Sequence, residues 1–127
     1  MTTFSLDVKK FAQQAEEAAD AVISKVCLDL LSDIVLNTPV DTGRARANWF
    51  TSIGSPSAAT IEYEGAPSAA GVAISRASDD IASAPRNIFW ISNNLPYIYR
   101  LEFEQWSKQA PSGMVRLAIN RAERIMR

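Results

Sequence analysis

The chain has 127 residues, a formal net charge of −1, 47% hydrophobic and 21% charged residues, which excludes a disordered tail and a generally basic nucleic-acid binder and leaves room for one globular domain, 1–127. It contains no histidine, so the usual triad base, the commonest zinc ligand and the usual proton shuttle near neutral pH are missing, and its one cysteine, Cys27, cannot close an internal disulfide. The amino terminus lacks the basic-then-apolar build of a signal peptide, and no apolar run approaches the roughly 20 residues of a bilayer span, so a soluble cytosolic product with no cofactor, no metal and no membrane partner is expected.

From Thr3 to Thr38 there is neither glycine nor proline. Ser5 can cap a helix start, with Asp7 placing negative charge in the first turn. Apolar positions recur at Phe4, Val8, Phe11, Ala15, Ala18, Val22, Val26, Leu30 and Ile34, in steps of three or four, and the stripe widens in the second half through Ile23, Cys27, Leu31 and Val35. The spacing predicts one helix of about 30 residues, roughly 45–50 Å long at 1.5 Å per residue. A domain of this size is only about 26–30 Å across. The front half of such a helix overhangs the body, where a neighbouring subunit would cover its stripe, or breaks into two pieces, or bends over its own sheet. Cys27 falls in the stripe and reads as a small core hydrophobe.

Asn37-Thr38-Pro39-Val40-Asp41-Thr42-Gly43-Arg44 ends this pattern. Pro39 holds Thr38 out of the helical region, and Asn37 can serve as a left-handed cap. Asp41 and Thr42 can turn their side-chain oxygens onto nearby amides, and Gly43 can take a positive φ. Arg44 and Arg46 project from the exit. Trp49 to Ile53 then reads as a strand, closed by Gly54-Ser55-Pro56-Ser57, and the alternating Thr60 to Glu64 reads as its hairpin partner. Residues 65–71 read as a small-residue loop.

Val72 to Ala84 fits a short helix with Asp79 and Asp80 outward; adjacent helical residues diverge by about 100°, so the two carboxylates do not converge on a metal. Asn87 to Ser92 reads as a strand, and Pro96 opens a short helix that can turn Tyr97, Leu101 and Phe103 inward. From Met114, Val115, Ala118, Ile119, Ala122 and Met126 form one helical face, preferred over a strand at 115–119. The expected class is α+β: a long N-terminal helix, a small, mainly antiparallel sheet, short helices and a C-terminal helix.

Two clusters could carry chemistry. Arg44, Arg46 and the arginines of 116–127 could meet phosphate oxygens, or could pair with the acidic first helix, within a subunit or between neighbours. Glu102 and Glu104 could be an acid/base pair, but no second catalytic element accompanies them, so an enzyme is not expected. Trp106, flanked by Glu104, Gln105, Ser107 and Lys108, reads as an exposed contact anchor.

Two stretches together resemble a known family. Thr38-Pro-Val-Asp-Thr-Gly-Arg44 with Ala47-Asn48-Trp49 is similar to a segment of tail-completion and neck proteins of long-tailed bacteriophages, relatives of the lambda-type minor tail protein Z. Asn93-Asn94-Leu95-Pro96-Tyr97, Arg100-Leu101-Glu102 and Ser107 to Arg116 resemble their C-terminal half, with Glu102-Phe103-Glu104 standing where many relatives carry Glu-Tyr-Gly. The resemblance implies a non-enzymatic virion protein, made in the host cytoplasm and placed at the head-proximal tail end or neck. It would complete the tail and enable head–tail joining. Implied partners are copies of itself in a ring, six being the expected number, neighbouring tail-tube, terminator or head-connector proteins, and non-specific contact with DNA in the channel. The candidate interaction residues are then Asp41, Arg44, Arg46, Trp49, Tyr97, Arg100, Trp106 and Arg116. The alternative is a DNA-binding module built on a local basic patch.

Overall fold

The computed structural model describes residues 2–83, 88–104 and 106–126. The chain is α+β: a long N-terminal helix, a two-strand antiparallel sheet, short helices and a C-terminal helix. Helix α1 spans Thr2–Asn37, as the uninterrupted run without glycine or proline predicts, and it passes through Ser5 rather than starting there. At 1.5 Å per residue it is about 54 Å long. Its rear half enters the body, where Leu31, Ile34 and Val35 are fully buried. From Lys9 to Ala19 every residue is exposed, and Phe11 shows 71% of its surface. Of the three expectations for this helix, the overhang is the one observed, with α1 continuous rather than broken in two.

A four-residue helix, α2 (Arg44–Ala47), follows the corner and leads into β1 (Phe50–Ile53). A single 3-10 turn, Ala66–Ser68, opens α3 (Ala69–Ser83), so the stretch read as a loop is mostly the start of that helix. Strand β2 (Phe89–Ser92), α4 (Ile98–Phe103) and α5 (Val115–Met126) complete the order. Asn87 lies outside the described residues.

The expected hairpin does not form. β1 pairs antiparallel with β2, Phe50 opposite Ser92 and Ile53 opposite Phe89, and the amide of Gly54 donates to Ile88 O at 2.9 Å. Thr60 to Glu64 joins no ladder. Asn48 takes over that role: its Oδ1 accepts the Ile61 amide (2.8 Å) and its Nδ2 donates to Ile61 O (2.9 Å). Asn94 Nδ2 likewise donates to Ser57 O and Ala59 O. Two asparagine side chains thus satisfy backbone groups that a partner strand would otherwise have taken.

Helix α3 packs on α1 because Ala69, Ala73, Ala77 and Ile81, four residues apart, form one buried row that lets the backbones approach. Asp80 turns inward rather than outward, accepting a hydrogen bond from Thr51 on β1. Helix α5 closes the other side of α1, and Asp33 pairs with Arg121 across that contact. Leu31, Ile34, Val35, Trp49, Leu101 and Met114 meet in one core. Each such side chain contributes about 1.5–3 kcal/mol by leaving water. Cys27 packs against this core, and burial pushes its thiol up, away from reactivity. Among the described residues, no helix is long and apolar enough to cross a membrane.

Candidate functional site

The corner between α1 and β1 is built from side chains that serve backbone. Thr38 is buried; its hydroxyl donates to Ile34 O (2.7 Å) and accepts the indole N–H of Trp49 (2.8 Å). One residue thereby ties the end of α1 to the start of β1. Asn37 does not cap in the expected way: it is the last residue of α1, and its amide nitrogen bonds Asp33 O and Oδ1. The capping is done by Arg46. Its Nε reaches Thr38 O and its Nη2 reaches Leu36 O, both at 2.9 Å, so a guanidinium sits where a helix leaves carbonyls without partners and carries partial negative charge.

Gly43, at φ 91°, makes the turn into α2, and Thr42 Oγ1 accepts the Arg44 amide at 3.3 Å. The exit is fastened from the far side of the fold. Arg76 of α3 donates to Ala47 O and Trp49 O and lies 3.9 Å over the Phe50 ring, while Asn93 Nδ2 donates to Ala45 O at 3.0 Å. The sequence reading missed Arg76; the available signal was that it is the one basic residue of helix 69–83.

The second dense stretch has the same logic. Glu102 is buried, and its carboxylate accepts the amides of Met114 (2.7 Å), Val115 (3.0 Å) and Arg116 (3.0 Å) and the Nε of Arg116 (3.2 Å). It is the N-terminal anchor of α5. Burial alone would push this carboxyl up, but the three amides and the guanidinium outweigh it and hold it below the usual carboxylate range. All its acceptor positions are engaged in holding a helix end, which is structural work rather than proton transfer.

Between these two anchored regions lies an open cleft of about 600 Å³. Asp41, Arg44, Glu62, Glu64, Tyr97 and Trp106 line it. Its far wall is clamped to the corner by Gln109, whose side chain accepts the Val40 amide (2.9 Å) and donates to Val40 O (3.3 Å). Arg44 meets Glu62 at 2.9 Å; Glu62 is so exposed that the pair adds little stability. Tyr97 and Trp106 pack at 6.1 Å between ring centres, and Arg100 lies 5.6 Å over the Trp106 ring. Burial pushes the Tyr97 phenol up, Arg44 pulls it back, and Glu62 and Asp41 push it up again.

Of the eight candidate residues, Asp41, Arg44, Tyr97 and Trp106 therefore share one cleft, and Arg100 adjoins it. Trp49 is interior, bonded to Thr38, and presents no surface for a partner. Arg46 and Arg116 are spent on α1 and on Glu102. Among the described residues, no group of three or more His, Cys, Asp or Glu is arranged to hold a metal. Comparison with protein-family models, with curated proteins and with solved structures found no match.

Arg46→Ala should cost about 1–2 kcal/mol by uncapping α1, while the chain stays folded. Chemical denaturation with circular dichroism checks this: a midpoint that falls with an unchanged slope is the expected result.

Proposed function

We propose that this protein is a non-enzymatic virion subunit of a long-tailed bacteriophage. It would form a ring at the head-proximal end of the tail or in the neck, complete the tail and enable head–tail joining. The observation that carries this reading is the front of α1. Eleven consecutive residues, Lys9 to Ala19, stand exposed beyond the body, and Phe11 and Val22 expose 71% and 63% of their surface. A monomer gains nothing from an uncovered apolar helix, whereas a subunit that meets copies of itself does. The residue pattern at 38–49 and 93–116 supports the same reading through its likeness to tail-completion and neck proteins.

Arg46, Trp49 and Arg116 hold the fold, so their part in assembly is indirect; the front of α1 and the Asp41–Arg44–Tyr97–Trp106 cleft remain for neighbours. The DNA-binding alternative leans on the arginines of 116–127, and there Arg116 already serves Glu102 and Arg121 serves Asp33.

Two measurements test the reading together: the mass of the purified protein by light scattering, and electron microscopy of particles assembled without it. The expected results are a multimer at the tail's upper end or in solution, and heads and tails that fail to join in its absence. A monomer that is also missing from finished particles overturns the proposal.

A further inference from the structure

The exposed front of α1 has a periodicity of its own. Phe11, Ala15, Ala18 and Val22 follow each other in steps of four, three and four, the alternation that a seven-residue repeat gives a supercoiled helix seam. The rear half departs from it: Lys25, which would occupy the next seam position, is exposed and paired with Asp29 at 2.8 Å, and the apolar stripe turns toward the body through Cys27, Leu31 and Ile34. The body thus covers the stripe up to the point where its period changes, and leaves the supercoil segment bare.

The residues beside the seam show what kind of partner it takes. Ala12, Ala19 and Ala21 flank it, with Gln14 the only larger flanking side chain. Every charge in the segment, Lys9, Lys10, Glu16, Glu17 and Asp20, lies on the remaining outer positions. A two-stranded pair needs only the narrow seam and is steered by charged flanks. Here the apolar stripe is broadened on both sides by small, uncharged residues, wide enough for a helix to touch two neighbours at once. Two heptads are also too short for a lone two-stranded coil to be stable, whereas contact on both flanks doubles what each helix buries.

We infer that the front of α1 is a bundle-forming segment that packs side by side, parallel and in register, with the same segment of two neighbouring copies of this chain, so that more than two copies close a ring of helices. The parallel sense rests on the ring reading above, because copies related by rotation about one axis carry their helices in one direction. A seam of alternating fours and threes is matched by a helix with the same alternation, and among the described helices the front of α1 is the one that carries it exposed, since the similarly spaced Val115, Ala118 and Ala122 of α5 are covered by the body. The uncharged flanks also let identical copies approach without like charges facing each other.

Cysteine cross-linking tests this, in solution and on purified particles. In a Cys27→Ser background, Ala15→Cys places a thiol on the seam and Gln13→Cys places one on the outer face. With a mild oxidant, Ala15→Cys should form covalent dimers at least fivefold faster than Gln13→Cys. A further variant, Ala15→Glu, changes a residue exposed in the single chain, so helicity by circular dichroism should hold while the multimer is lost. A multimer that survives Ala15→Glu and shows no seam cross-link overturns the bundle and leaves the ring reading standing. Seam cross-linking in an assembly of only two copies overturns the claim of more than two. A wild-type chain that is monomeric and missing from particles removes the ring reading, and the bundle with it.

Discussion

Glu102→Ala should destabilise the fold by about 3 kcal/mol, because it strips three helix-start amides and a guanidinium of their shared acceptor inside the protein. For a domain of this size that is a large share of a total of about 5–15 kcal/mol, and a fall in Tm on the order of 10 °C. Glu104→Ala is the internal control. Glu104 is exposed, its one ion pair among the described residues is a 3.8 Å contact with Arg100, and its loss should stay within about 0.5 kcal/mol. The same residue gives a pH signature. The Glu102 carboxyl is held below its ordinary value of about 4.3 in the folded chain, so its ionised form binds the fold better than the protonated form. Its stabilising contribution is complete above the unfolded value and disappears as pH falls through the folded one. The stability gap between the wild type and Glu102→Gln should therefore be constant from pH 7 to about 5.5 and narrow steadily below about 4.5. Urea midpoints at half-unit pH intervals measure this, and a gap that stays constant down to pH 3 would show that the carboxylate's charge does not hold α5.

What the sequence made legible, and what it hid, divides along the range of the interactions. The long helix, α3 and α5 follow from local facts: an uninterrupted run, periodic apolar positions, and prolines or glycines at the ends. The corner was legible for the same reason, since Gly43 and Thr42 act on their immediate neighbours. The partner of β1 was not. Thr60 to Glu64 alternates as a strand should, but Asn48 reaches Ile61 with both ends of its amide and claims the groups that a ladder would use. No local pattern reveals that an asparagine will do this, nor that β2 will arrive from far along the chain. The role of Glu102 was hidden for a related reason. Beside Glu104 it resembled half of an acid/base pair, whereas its partners lie twelve to fourteen residues on. One clue was present: α5 starts at Val115, behind Gly113 and Met114, neither of which has a side-chain oxygen to cap it, so an acceptor had to come from elsewhere in the chain. In the cleft, Trp106 was read as exposed, as it is, and Tyr97 as inward-facing, while their meeting with Asp41 depends on Gln109 clamping one wall to Val40. Trp49 went the other way, because an aromatic beside arginines looks like a contact residue until Thr38 is seen beneath it.

Gly43→Ala should be the most damaging single-methyl change at the corner, costing about 3 kcal/mol or more. Two separate terms contribute. The residue sits at φ 91°, where a side chain strains the backbone by roughly 1–2 kcal/mol. An added Cβ would also lie 2.9 Å from Ala66 Cα and 2.9 Å from Ala69 Cβ. Those atoms belong to the backbone and first residue of a packed helix, so neither can swing aside as a long side chain would. Gly54 separates the terms: it has a similar φ of 84°, but a Cβ there meets nothing within 4 Å. Gly54→Ala should therefore show the backbone strain alone, about 1–2 kcal/mol, and the excess at Gly43 measures the close approach of α3 to the corner. Because Gly65 N donates to Thr42 O at 3.0 Å beside this contact, pushing Ala66 away also loosens the segment that carries Glu62 and Glu64 into the cleft. The stability loss should thus come with faster amide exchange at Gly65 and Ser68 in Gly43→Ala and not in Gly54→Ala. Equal losses in the two variants would mean that the glycine is there for its φ only, and that the corner and α3 are not locked together at this point.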